Sequence, residues 1–425
     1  MSKFICEIIK SDESTKDKLQ FTISGSGTIG LDKTVINGIR RTLLSSIETY
    51  AFRTTYDNTN IIIEKNNTSL HNEFLLDRIG LIPLYLNPEK VKYLEYLFVL
   101  SAKHDNSNPI TIITANNFNI YRLKDTILES PDFQNGMINE INKSNYDMDK
   151  PLNDFKKEVF KPYMNKYYSI ITEMKSTNSV DNVQELVLYG SPSLSIAKED
   201  SRWQAVSGAS YSYKIDEDLL TKVCNDKIKL NQESITDKEQ YKKEFIIKAG
   251  QRYFHRDVNG EPYYYNFMIE GQHYFNNKKL FIRANEIIIK SLEIFRDELD
   301  NLKEDEKSLI KLIFNKDTKD NVINMIVEMQ YVIANEIYHG FDDTLGSIIQ
   351  AHISGKMIND SSDLNLCGYK RTHPLENKIM FTVSLNSKSD IEDKIKKEKV
   401  VDTFKQCCYE LIDIYNVIIS AADGI

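Results

Sequence analysis

Two stretches of this chain carry the same hydrophobic period. Beyond a helix start near Arg283, the residues Ile288, Leu292, Phe295, Leu299 and Leu302 step by four, three, four and three. Within residues 389–421, Val401, Phe404, Cys408, Leu411, Tyr415 and Ile418 step by three, four, three, four and three. A 3.5-residue period is the seam of a helix that packs lengthwise on another helix. Two seams of one period in one chain are natural partners. The expectation is a pair of long helices in cis, with Ile288, Leu292, Phe295 and Leu299 set against Phe404, Cys408, Leu411 and Tyr415. Covalent linkage gives such a pair an effective concentration on the order of millimolar, so a monomer is expected rather than a homodimer.

A repeat accompanies the seams. Asp32-Lys-Thr-Val-Ile-Asn-Gly-Ile39 and Asp342-Asp-Thr-Leu-Gly-Ser-Ile-Ile349 both read Asp-x-Thr-apolar-x-(Asn/Ser)-x-Ile, and four residues later Leu43 matches Ile353. In each, Asp or Thr offers a helix N-cap. Val35, Ile36, Ile39, Leu43, Leu44 and Ile47 form one amphipathic stripe. Strand-like sequence precedes each copy and a seamed helix follows it. One module carried twice predicts a pseudo-twofold dimer made within a single chain; chance similarity between capped amphipathic helices is the alternative.

Around these modules the alternation of Leu19-Gln-Phe-Thr-Ile23 predicts a half-buried strand. Ile61–Ile63 reads as a strand, and residues 74–79 as a short helix ending near Pro83. Residues 87–248 change texture, with short strand candidates, Asn-rich stretches and the single tryptophan, Trp203. They read as an inserted α+β domain, with 131–150 as an excursion from it. The expected division is 1–86 for the first part of one module, 87–248 for the insertion, 249–315 for the rest of that module with its long helix, and 316–425 for the second. Residues 316–320 read as a linker.

Composition narrows the function classes. Hydrophobic residues make up 41% of the 425, enough for real cores, yet no apolar run reaches the length of a membrane span. Met1–Lys10 lacks a signal-peptide layout. Five scattered cysteines, with no CxxC pair, point to a reducing compartment and to no metal cluster. A net charge of -8 does not suit a free-standing nucleic-acid binder. One rival signal stands out: Gly25-Ser-Gly-Thr-Ile-Gly30 fits GxGxxG between a strand and a helix, with Asp57 downstream. Against a nucleotide site, Asp32 would set a carboxylate where a phosphate binds, and no run of βαβ units follows. A nucleotide-binding enzyme using residues 25–30 remains the alternative.

Asn37-Gly-Ile-Arg-Arg-Thr-Leu-Leu44, followed by Glu73-Phe-Leu-Leu-Asp-Arg-Ile-Gly-Leu-Ile-Pro-Leu84, resembles the signature of α-like subunits of cellular RNA polymerases. The segment 190–213, with Lys198, Trp203 and Val206, resembles the second domain of the third-largest subunit of RNA polymerase II, although Asp200 stands where that family often has His. Asp342-Asp-Thr-Leu-Gly346 and Gly368-Tyr-Lys-Arg-Thr-His-Pro-Leu-Glu-Asn-Lys378 resemble the small α-like partner, the eleventh subunit. A fusion of the two is similar to the arrangement in large nucleocytoplasmic DNA viruses.

The resemblance implies an α+β fold of two α-subunit-like dimerisation modules forming a pseudo-dimer, the first interrupted by an inserted α+β domain. It implies a non-catalytic assembly subunit, the platform for the two large catalytic subunits of a DNA-directed RNA polymerase. Partners would be those large subunits, especially the second-largest, and smaller polymerase subunits. DNA would be met only through the complex, and no membrane. The expected contact with the second-largest subunit is Arg40 and Arg41 together with Arg78, Gly80, Leu81 and Pro83. From the residues alone, a solvated helix flank is the favoured reading of Arg40 and Arg41; the resemblance turns it toward a partner interface. Glu73 and Arg78 are expected to form a structural ion pair or an interface contact rather than a catalytic pair. His373 and Glu376, beside Pro374, are expected to serve fold and assembly. The zinc site of the family's third subunit lacks its cysteines here, since Cys224 alone falls in 87–248, so neither metal nor cofactor is expected. A viral origin would place the protein in the host cytoplasm, in viral factories, and in the virion; a cellular one, in the nucleus. A scaffold outside transcription that reuses the same module is the third reading.

Overall fold

The computed structural model describes residues 4–424 apart from 16, 27–30, 56–57, 106–107, 139, 177–182, 231–236, 258–259, 272–273, 301, 303–308, 315–321, 329–332, 335, 338–340, 360–361 and 387–391. The protein is mixed α+β with several antiparallel sheets. It divides into two compact units. The first comprises residues 1–46, 206–271 and 277–425; the second, 47–205 and 272–276.

The first unit holds two four-stranded sheets. One contains β1 (Ile5–Lys10), β2 (Lys18–Ser26), β3 (Val206–Tyr213) and β4 (Tyr264–Gly271), ordered β1-β2-β4-β3; α1 (Lys33–Ser45) follows β2 and α2 (Asn277–Asp300) follows β4. The other contains β5 (Ile310–Phe314), β6 (Val322–Glu328), β7 (Leu364–Arg371) and β8 (Lys378–Leu385), ordered β5-β6-β8-β7; α3 (Asp343–His352) lies between β6 and β7, and α4 (Asp393–Ala421) follows β8. Every pairing in both is antiparallel. The period-2 pattern gives each sheet one dry face. Leu19, Phe21, Ile23, Tyr265, Phe267 and Ile269 are buried on the first, and Ile323, Met325, Val327, Ile379, Phe381 and Val383 on the second.

Four helices fill the space between the sheets. α1 packs on α2 and α3, and α4 packs on α2 and α3. The aromatic contacts of α2 divide along its length. Near its start, Phe281 meets Phe21 edge-on (5.1 Å) and Phe267 (6.1 Å); in its last third, Phe295 meets Phe381 (6.4 Å) and Phe404 of α4 (6.3 Å). So α2 touches its own sheet with one half and the other sheet with the other. α4 does likewise: Phe404 packs on Phe381 (5.2 Å), while the helix also reaches β1. Ile288, Leu292, Phe295 and Leu299 are buried, as are Phe404, Cys408, Leu411 and Tyr415. At the far end of the pair Lys405 forms an ion pair with Asp300, and the Lys397 ammonium donates to the Leu302 carbonyl (3.1 Å).

The seam of α4 differs from a strict 3.5 period. Val400, not Val401, is the buried valine, and Cys407 and Ile414 are buried too. The physical reason is that α4 has two helical neighbours and therefore needs a wider dry face than one seam supplies. Cys407 lies against the Ile349 carbonyl of α3 (3.8 Å). Burial pushes the Cys367 and Cys408 thiols up to about 12, as it does for Cys6, where Glu7 adds to it, so these are packed, unreactive thiols.

The second unit is larger at its front than the sequence reading allowed. The strand Ile61–Asn66 pairs with Glu185–Gly190, which pairs with Tyr96–Lys103, and Glu48–Ala51 pairs with Ser193–Ile196. These long-range pairings draw residues 47–86, expected in the first module, into the core of the insertion and set the boundary at 47–205 rather than 87–248. Phe52, Phe98, Phe118 and Phe160 form its centre, with ring centroids 5.2–6.4 Å apart. The described residues of 131–150 are folded into this unit rather than extending from it. Phe133 and Tyr146 join Leu94, Leu97 and Leu123 in a second small core, where the Tyr146 hydroxyl donates to the Leu94 carbonyl (2.8 Å). The helices Glu217–Leu230 and Lys238–Ala249, expected in the insertion, belong to the first unit. The expected linker at 316–320 lies outside the described residues.

Candidate assembly surfaces

The flank of α1 is built from its N-cap onward. The Asp32 carboxylate accepts from the Thr34 backbone N–H (2.7 Å), which satisfies one of the free donors of the first turn. Val35, Ile36, Ile39 and Leu43 then turn into the core. Gly38 faces α3 so closely that a Cβ there would stand 2.6 Å from Ile348 Cδ1 and 3.4 Å from the Tyr415 hydroxyl. The two arginines leave the core side. Arg40 donates through Nε to Asn37 Oδ1 (2.9 Å) and Arg41 through Nε to Thr344 Oγ1 (3.0 Å). Arg41 thus ties α1 to the first turn of α3 while remaining exposed.

Arg40 has a neighbour the sequence did not announce. Tyr211, on edge strand β3, lies within the electrostatic reach of Arg40 and Lys33. Burial, with Tyr213 beside it, raises the Tyr211 phenol pKa, and the two cations oppose that shift. The only sequence signal was the alternation Tyr211-Ser-Tyr213 in a stretch without charge, which marks a strand and not its position at an edge. The result is a strip of cations and phenols along α1 and β3, able to receive carboxylates and backbone carbonyls of a partner.

The second candidate stretch lies in the other compact unit. In the helix Asn72–Gly80, Leu75, Ile79 and Gly80 are buried, while Phe74 and Leu81 are 61% and 67% exposed. Arg78 and Pro83 are exposed too, and Ile82 and Leu84 between and beyond them point inward. Gly80 is required by packing: a Cβ would stand 2.5 Å from Thr54 Oγ1 and 2.8 Å from Arg202 Nη1. Arg202 is itself held by Asp200 (3.0 Å). Glu73 and Arg78 do not form an ion pair with each other, which leaves the other expected role, an interface contact. Five helical residues separate them by about 140° around the axis, so their side chains leave in different directions. The stretch around Arg40 belongs to the first compact unit and the stretch around Arg78 to the second.

In the same unit Trp203 is buried; its indole N–H donates to the Ser193 carbonyl (3.0 Å) and the Arg53 guanidinium lies 4.7 Å over its ring. Arg53 also pairs with Glu199. Burial raises the pKa of both Glu199 and Asp200. The bonds they accept, from Arg53 and Ser195 and from Arg202 respectively, outweigh it and hold both carboxyls below their usual range.

Gly27–Gly30 and Asp57 lie outside the described residues. Gly25 is required by close approach, since a Cβ there would stand 2.6 Å from Leu31 Cβ. The neighbouring strands form an antiparallel sheet, and Asp32 caps the helix itself, which leaves none of the parallel βαβ context of a dinucleotide site. His373 and Glu376 form the turn between β7 and β8. His373 Nδ1 accepts from the Leu375 N–H (3.2 Å) and Glu376 accepts from Thr372 (3.1 Å). Among the described residues no group of three or more His, Cys, Asp or Glu is placed to hold a metal ion, and no helix is long and apolar enough to cross a membrane. Compared with models of known protein families and with curated proteins, the chain matches none.

Proposed function

We propose that this chain is a non-catalytic assembly subunit of a multisubunit DNA-directed RNA polymerase. Two α-like modules, joined in one polypeptide as a pseudo-dimer, would form the platform for the two large catalytic subunits. The observation that carries this reading is the shared connectivity of the two sheets. Each runs strand, strand, capped helix, strand, strand, long helix, and each has the order first-second-fourth-third. Asp32 and Asp342 cap α1 and α3 in the same way, each accepting from the Thr N–H two residues on (2.7 and 2.9 Å). Leu43 and Ile353, eleven residues beyond each cap, are both fully buried. Gly38 and Ile348 stand at equivalent positions of the repeat and touch one another, as residues near a twofold axis must. The exchange of helix halves between sheets is reciprocal for α2 and α4.

On this reading the surfaces carrying Arg40 and Arg41, and Arg78, Gly80, Leu81 and Pro83, bind the second-largest subunit, and other faces receive the smaller subunits. The protein acts as a monomer, meets DNA through the complex, and works in viral factories and virions or in a nucleus. The deciding experiment is co-expression with the two large polymerase subunits of its source. Recovery of both with the tagged chain supports the function. Recovery of neither, with an intact monomer in hand, favours a scaffold outside transcription. Saturable nucleotide binding by the chain alone would favour the enzyme alternative.

A further inference from the structure

Residues 163–167 close a tight hairpin in the second unit. The Tyr163 N–H donates to the Tyr167 carbonyl (2.7 Å) and the Tyr167 N–H to the Tyr163 carbonyl (2.9 Å). At its tip Met164 and Asn165 have φ of 50° and 58°. Tight turns of this hand are normally made with glycine or asparagine. Asn165 suits the position; a methionine is strained there. Met164 gains nothing from the fold in return, being 73% exposed, and the flanking Tyr163 and Tyr167 are 69% and 58% exposed. Turn chemistry and core packing therefore explain none of these three large side chains.

Two cations flank them. The Lys161 ammonium lies 4.4 Å from the Tyr85 ring centre and the Lys166 ammonium 5.3 Å from that of Tyr167; both lysines are exposed. The feature is thus a hydrogen-bonded apolar knob with a positive collar, on a chain whose net charge is -8. Tyr and Met are enriched at protein interfaces, and Tyr is a frequent hot-spot anchor. A preformed hairpin has little freedom left to lose on docking. A single-stranded nucleic acid fits less well, because stacking needs free ring faces and Lys166 stands over the Tyr167 ring.

We propose that the Tyr163–Tyr167 tip is a docking knob that seats in an acid-rimmed apolar pocket on a large subunit of the polymerase; this rests on the function proposed above. The test uses the full chain co-expressed with both large subunits. A photo-reactive amino acid at position 164 should crosslink to one large subunit. The variant Tyr163→Ser, Met164→Gly, Tyr167→Ser should lower recovery of that subunit at least tenfold while circular dichroism stays unchanged. Met164→Asn, which suits the turn and replaces the apolar thioether with a carboxamide while both tyrosines stay, should lower it less. The proposal is overturned if the complex assembles but position 164 crosslinks to neither large subunit, or if the triple variant, folded, recovers both at wild-type yield. If the wild-type chain recovers neither, the assembly function has failed and the knob falls with it. That outcome differs from the others because it appears already in the unmodified control.

Discussion

Gly38→Val tests the close contact between α1 and α3. The first added carbon would stand 2.6 Å from Ile348 Cδ1, where carbon atoms prefer about 3.5–4.0 Å. Ile348 is 1% exposed, so its side chain has little free volume into which to retreat. Overpacking of this kind costs about 1–3 kcal/mol. Replacing a mid-helix glycine by valine returns only a few tenths of a kcal/mol, so a net loss of about 1–3 kcal/mol is expected. Ile348→Ala alone should cost about 2–5 kcal/mol through the cavity it leaves. In the double variant the valine occupies part of that cavity, and the combined loss should fall short of the sum by about 1 kcal/mol or more. Urea unfolding followed by circular dichroism measures all three. A neutral Gly38→Val, or strict additivity, would refute the contact between α1 and α3.

Three further outcomes are expected. Leu411 is fully buried in α4, so Leu411→Ala should cost about 2–5 kcal/mol, and Leu411→Asp, which adds an unpaired buried charge, should prevent stable folding; a Leu411→Asp protein that melts like wild type would rule out a buried seam. Glu199 and Asp200 have depressed folded pKa values, so their stabilisation is present above the unfolded carboxyl range of about 4 and is lost as pH falls through the lower folded values. The melting temperature read from Trp203 fluorescence should drop on that acid side, and Arg53→Gln should make the drop shallower; an unchanged acid limb in Arg53→Gln would discount the pairing. Arg40→Glu should leave the fold intact and weaken recovery of the second-largest subunit by tens- to thousands-fold, the equivalent of about 2–5 kcal/mol for an interfacial charge that loses its partner, whereas Arg41→Glu should also loosen α1 from α3, because Arg41 bonds Thr344. Wild-type recovery by a folded Arg40→Glu protein would remove this flank from the interface.

Local periodicity made much of the fold legible. The alternation in residues 19–23 marked a strand face, the caps at Asp32 and Asp342 marked helix starts, and the heptad steps named the residues of α2 that are buried. What periodicity does not carry is the identity of a pairing partner. Ile61–Asn66 was readable as a strand, but its partner lies at Glu185–Gly190, and only that pairing moves residues 47–86 into the second unit. The same blindness affected α4, where Val400 and Cys407 are buried because a second helix lies alongside. At the candidate surfaces, Arg40 and Arg41 were visible from sequence, while Tyr211 was not, since edge position is a property of sheet order. The Tyr163–Tyr167 tip gave no signal because its turn contains no glycine.

The central claim is most directly tested by affinity purification of the tagged full chain from cells that co-express the two large polymerase subunits, followed by native mass spectrometry. The account predicts one complex containing a single copy of this chain with one copy of each large subunit, and no homodimer of the chain. Recovery of the folded chain alone, or as a stable homodimer without either large subunit, would contradict it.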